Sequence, residues 1–216
     1  MTSEPRQAGP RPDSTPSQRL EALGIILPAA RKPVANFLPA VRIGDLVFVS
    51  GQGPVSSDGM RCVGKVGKDV SVAEAYGHAR LTTINLLAVL HETLGSLDAV
   101  DRIVKVLGFV NGDPDFEEHP QVINGCSDLL VEVFGPDHGS HARSAIGAGS
   151  LPKRITVEIE IVVAVRLPAA AEASNGNFEI SKMPFDNAIL PDMGGSTRWP
   201  PGTRTERRAT DKWDVP

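Results

Sequence analysis

Hydrophobic positions along the chain change period several times, and each change marks an element. From Ile155 to Val165 every odd position is Ile or Val. That unbroken alternation predicts a strand with one buried face. Ile103 to Val110 is apolar apart from Lys105 and Gly108 and reads as a central strand. Val41–Ile43 and Leu46–Val49 flank Gly44-Asp45, which predicts a hairpin or bent strand. Between these runs the period lengthens. Val72, Ala75, Ala79, Thr83, Leu86, Leu87, Leu90 and Leu94 recur at three- and four-residue steps, the buried stripe of one long helix. Ser71 serves as its N-cap with Glu74 three positions on, and Gly95 closes it. A second helix spans about Pro120 to Phe134, with Val122, Ile123, Cys126, Leu129, Leu130 and Val133 inward and Gly135-Pro136 as its stop. Arg19–Leu27 reads as a short helix ended by Gly24, then an edge strand. Strands, helix, strand, helix and two strands predict an α+β fold: a single mixed sheet with both helices on one face. The other face carries Val162 and Ala164 and is expected to be buried between subunits.

The ends differ from this middle. Residues 1–17 mix Pro, Gly, Ser and charge with little to bury and are expected to be disordered. Residues 168–216 hold repeated Pro, Gly and Ser without apolar period, and read as a tail lacking its own core. The domain is therefore placed at 18–167. A formal charge of −4 argues against a nucleic-acid footprint. Cys62 and Cys126 have neither metal spacing nor a disulfide framework and are expected to be reduced thiols. The longest apolar runs fall far short of a membrane span. The N-terminus lacks the apolar core of a secretory signal, so cytoplasm is the expected location.

The chemistry concentrates in residues 141–161. If the chain turns within Gly149–Lys153, antiparallel pairing sets Arg143 opposite Glu158 and His141 opposite Glu160 on one face. Two readings stay open. One is an ordinary cross-strand ion pair, which when exposed contributes about 0–1 kcal/mol. The other is a site where the guanidinium holds a carboxylate and the acid holds a water.

The motifs Ala142-Arg143-Ser144, Leu151-Pro152-Lys153 and Val157-Glu158-Ile159-Glu160 resemble the C-terminal signature of the RidA/YjgF family of enamine/imine deaminases. Val41–Val55, with Ser50-Gly51-Gln52 and Pro54-Val55, resembles that family's upstream segment. The resemblance covers about residues 35–167. It implies a chorismate-mutase-like fold, a homotrimer with sites between subunits, and no metal, flavin or nucleotide. It also implies hydrolysis of a reactive enamine or imine of a 2-amino acid to a 2-keto acid and ammonia. Arg143 would clamp the substrate carboxylate through two parallel hydrogen bonds, a geometry that suits guanidinium. Glu158 would orient or deprotonate the attacking water, kept ionised by Arg143. Ser50 and Gly51 would form the rim, with Gly51 admitting a ligand close to the backbone. Asn124 aligns with a site-lining asparagine. Departures from the pattern are Phe37 for a tyrosine, Ala145 for a cysteine and His141 for a proline. His141, beside Glu160, is expected to favour its protonated form as a second acid or anion contact. Gly147 and Gly149 are expected to leave the cleft wide. Alternatives are a non-catalytic sensor of a keto acid or related metabolite on the same fold, and, less favoured for want of basic charge and a His pair, an endoribonuclease or translation inhibitor.

Overall fold

The computed structural model describes residues 14–31 and 36–166. The expectations for residues 1–13 and 167–216 lie outside the described residues. The first helix starts earlier than Arg19, inside the segment expected to be disordered. Helix α1 (Pro16–Ala22) is opened by a capping box between Thr15 and Gln18, and it sends Leu20 into the core. Gly24 ends this segment as expected, but Ile25–Leu27 form no strand.

Strands β1 (Ala40–Ile43) and β2 (Leu46–Gln52) form the expected hairpin, with Ala40 opposite Val49 and Ile43 opposite Leu46. Gly44 turns the chain at φ 62°, where a side chain would be strained. Helix α2 (Val72–Leu94) has the Ser71–Glu74 capping box and a left-handed Gly95 at its end. Strand β3 (Val100–Val110) leads to helix α3 (His119–Phe134) and the one-turn helix α4 (Pro136–Gly139). Strands β4 (Ala142–Gly147) and β5 (Val157–Val165) complete a five-stranded sheet in the order β1-β2-β5-β3-β4.

That order overturns the expected hairpin between residues 141 and 161. Strand β4 pairs in parallel with β3, Arg143 beside Val106, while β5 pairs antiparallel with the other side of β3. Residues 148–156 do not turn back on β4; they step across the end of β3. Both sides of that step rest on β3's last residues: Ala148 N–H donates to the Val110 carbonyl, and Asn111 N–H to the Thr156 carbonyl. Glu158 is consequently opposite Phe109, and Glu160 opposite Leu107.

The predicted alternation holds. Val157, Ile159, Ile161, Val163 and Val165 are buried under the helices together with Val106 and Val110 of β3. Leu86, Leu87 and Leu90 of α2 and Ile123, Leu129 and Leu130 of α3 complete this core, each fully buried. Such side chains contribute about 1.5–3 kcal/mol apiece. The helices sit close because glycines allow it. A Cβ at Gly108 would lie 2.6 Å from Ile123 Cδ1, and one at Gly125 would collide with the Tyr76 carbonyl of α2. The opposite face has no helix, and Val41, Ile43, Phe48 and Ile146 are exposed there. Among the described residues, no helix is long and apolar enough to cross a membrane.

Candidate functional site

The expected site residues fall into two groups on opposite faces of the sheet. Arg143 shares its row with Val106 and Ile161, which face the helices. Glu158 alternates with the buried positions of β5 and faces away from them. Its row contains Phe109 and Ile146, so it is also displaced from Arg143 by three residues of β4, roughly 10 Å along the strand. The expected Arg143–Glu158 pair is therefore absent within the chain.

The arginine group is built where α3 passes over β4. Asn124 and Ser127 lie three residues apart on α3 and so project from one side of it. Arg143 Nη1 donates to Asn124 Oδ1 at 2.8 Å and to Ser127 Oγ at 3.0 Å. Among the described residues, Arg143 Nε and Nη2 have no protein acceptor. Ala145 follows on the same face, beside Gly108 and against the core. His141 just precedes β4, and its ring contacts Ser127 Oγ through Nε2 at 3.0 Å and the Gly139 carbonyl through Nδ1 at 2.6 Å. Two expectations are corrected here. His141 is not beside Glu160, and burial, with Arg143 adding to it, moves its pKa below the ordinary 6.5 toward the neutral ring. Gly147 and Gly149 line a concavity with Lys65, Gly112 and His119, and the His119 ring packs on Gly147 so closely that a Cβ there would lie 2.6 Å from its Nε2. His119 in turn stands edge-on to Phe116, with ring centroids 5.0 Å apart.

The glutamate group lies toward β2. A register shift between Val49 and Gln52 bends that strand as it passes β5. Glu158 packs over Gly51 there, and a Cβ, lying 2.5 Å from its Oε1, would push the carboxylate aside. Ser50 donates its hydroxyl to the Leu38 carbonyl at 2.7 Å and its N–H to the Pro39 carbonyl at 2.9 Å. These bonds tie β2 to the segment that carries Phe37, which is exposed. The buried Asn85 of α2 secures the following loop, donating to the carbonyls of Gly53 and Val55 at 2.9 and 3.0 Å. Glu158 is half-buried. With no arginine beside it, burial raises its pKa above the ordinary 4.5, and Glu160 raises it further. Within one chain, then, Arg143 does not keep it ionised as expected.

Ser127 escaped the sequence reading, where a helical serine is a solvent-facing residue by default. Its spacing from Asn124 was the available signal. Cys126, its neighbour, is buried and its thiol pushed up to about 12 by burial. Among the described residues, no three His, Cys, Asp or Glu side chains converge as metal ligands would.

The sequence profile described as "YjgF/chorismate_mutase-like, putative endoribonuclease" matches residues 17–163. Protein TCP17 of Trypanosoma cruzi is 40% identical over 144 residues, covering 67% of this chain and 90% of that protein. The crystal structure of Atu1372, a protein of unknown function from Agrobacterium tumefaciens, superposes with TM-score 0.65 at 40% identity, over 70% of this chain and 94% of that one. A 2-iminobutanoate/2-iminopropanoate deaminase of Dermatophagoides farinae is 28% identical over 146 residues, 65% of this chain and 94% of its own. With its open mixed sheet, its two long helices on one face and a match of this extent, the chain belongs to the YjgF family.

Proposed function

We propose that this protein binds a 2-imino acid through Arg143 and hydrolyses it to the 2-keto acid and ammonia, in a site completed by Glu158 of a second copy. The observation that carries the reading is the state of the Arg143 guanidinium. Asn124 and Ser127 take one nitrogen, Nη1, and leave the Nε–Nη2 edge for a carboxylate. The open cleft between residues 67–72 and 113–118 suits an anion poorly, being lined by Asp69, Asp113, Asp115, Glu117 and Glu118.

Glu158 is the candidate base, a carboxylate held above its ordinary range by burial and by Glu160. Its carboxylate packs against the bare backbone of Gly51, on the strand expected to form the site rim. In the proposed reaction water attacks the imine carbon while Glu158 takes its proton, and the C=N electron pair moves to nitrogen, which is protonated. The C–N bond of the resulting carbinolamine then breaks, its hydroxyl proton is lost as the C=O forms, and nitrogen leaves as ammonia. Because the two groups occupy opposite faces, one chain does not supply both to a single substrate. The exposed Val41, Ile43, Phe48 and Ile146 around Glu158's face favour a homo-oligomer, a trimer in line with the family resemblance, that brings one copy's Glu158 to another's Arg143. A cytoplasmic location would put it where imines are released from amino acids.

The test is complementation. Arg143→Ala and Glu158→Gln are each expected to abolish keto-acid release from freshly generated 2-iminopropanoate. Co-expressed in equal amounts, the two inactive chains are expected to recover about one quarter of wild-type activity, because random mixing pairs an intact arginine half with an intact glutamate half in that share of sites. A mixture as inactive as its parents would refute the shared site. A wild-type protein that binds 2-oxobutanoate without turnover would be a metabolite sensor instead.

A further inference from the structure

We propose that Ser127 and His141 are positioning residues that lock the Arg143 guanidinium by a chain of directed hydrogen bonds. The inference rests on the reading of Arg143 as the carboxylate clamp and adds two residues to it. The direction of every proton follows from the acceptors. The Gly139 carbonyl can only accept, so the His141 nitrogen 2.6 Å from it, Nδ1, carries the ring proton. A neutral ring then presents a lone pair at Nε2, and Ser127 Oγ, 3.0 Å away, gives its single proton to it. The serine lone pairs are left facing Arg143 Nη1 at 3.0 Å. The chain therefore runs Arg143 to Ser127 to His141 to Gly139, with each hydrogen assigned.

Its far end is anchored. Gly139 is buried, its N–H donates to the Gly135 carbonyl at 2.7 Å, and a Cβ there would lie 2.5 Å from the Leu130 carbonyl of α3. The acceptor carbonyl thus belongs to a turn pressed against α3, the helix that carries Ser127. Burial and the Arg143 charge favour the neutral ring that this arrangement needs. Without the imidazole, the serine hydroxyl loses the acceptor that fixes its rotation, and its lone pairs are no longer held toward Nη1. Asn124 would then be the one rigidly oriented acceptor of Nη1, and the aim of the Nε–Nη2 edge would loosen.

The experiment combines nitrogen NMR of the full-length protein with titration of 2-oxobutanoate. In the wild type, His141 is expected as the Nδ1–H tautomer. Ser127→Ala and His141→Phe are each expected to sharpen the rotational exchange of the Arg143 Nη protons and to weaken 2-oxobutanoate about tenfold, the scale of one hydrogen bond to a charged group. Ser127→Thr, which restores the hydroxyl, is expected to bind within about twofold of the wild type. An Nε2–H tautomer, unchanged guanidinium exchange in Ser127→Ala, or a threonine variant as weak as the alanine one would overturn the assignment. If the wild type ignores 2-oxobutanoate while the tautomer and the guanidinium respond as expected, the positioning chain stands and the carboxylate reading fails.

Discussion

The two faces of the sheet solve different problems. Under the helices the packing is tight: glycines at 108 and 125 bring α3 down onto β3 and α2, and Asn124 and Ser127 fix one nitrogen of Arg143. On the helix-free side the surface is open, with Phe48 and Ile146 exposed around an acid whose charge is disfavoured by burial and by Glu160. One face is finished within the chain and holds a cation in a fixed frame. The other is unfinished, and its acid is poised rather than paired. The lesson is that the Arg143 and Glu158 motifs, though close in sequence, are separated by the intervening strand β3 and belong to different environments.

The strongest way to break that contrast is to remove each group in turn. Arg143→Ala is expected to weaken 2-oxobutanoate at least about a hundredfold, as loss of a bidentate charged pair would. Glu158→Gln is expected to leave that affinity within a few-fold while lowering turnover by about 10²–10⁴. Its folding stability should move the other way. The Glu158 pKa is raised in the folded state, so its favourable contribution is complete below about 4.5 and is lost as pH rises through the raised value. At neutral pH the glutamine variant should therefore melt at a higher temperature than the wild type. Equal losses of binding in both variants would dissolve the distinction between the faces.

A smaller perturbation addresses the open face alone. Phe48→Asp is expected to leave the fold intact but to dissociate the proposed homo-oligomer, seen as a fall to monomer mass in sedimentation, with the proposed turnover lost alongside it. The mildest change sharpens the comparison. Glu160→Gln removes one of the two causes that raise the Glu158 pKa, so Glu158 should stay ionised to lower pH. The acid limb of the rate profile then shifts downward, with the plateau within about tenfold of the wild type. An acid limb that does not move would mean that Glu158 is not the base.

Helix α2 was legible to the residue, because Ser71, Glu74 and Gly95 each satisfy end groups that only those side chains or that backbone can satisfy. The burial of alternate β5 residues was legible for a similar reason, a period that reports a face. A period does not name the neighbouring strand. Gly149–Lys153 has the composition of a tight turn, yet nine residues, 148–156, are long enough to cross the end of β3, and the pairing partner followed from that crossing. The environments of Glu158 and His141 were misread through the same error, since both were inferred from the wrong rung. Family resemblance makes Asn124 a site-lining residue without naming its partner, and Ser127 one turn away carries no signal because hydroxyls on helices have no period of their own.

The placement of sulfur has a chemical corollary. The substrate proposed above is an imine, whose electrophilic carbon adds thiolates. Here the position beside the arginine is Ala145, and the nearest cysteine in sequence, Cys126, is buried with a thiol that ionises only near about 12. The arginine half of the proposed site therefore presents no ionisable thiol, and its affinity for a carboxylate is expected to survive alkylating agents that silence a thiol-lined counterpart.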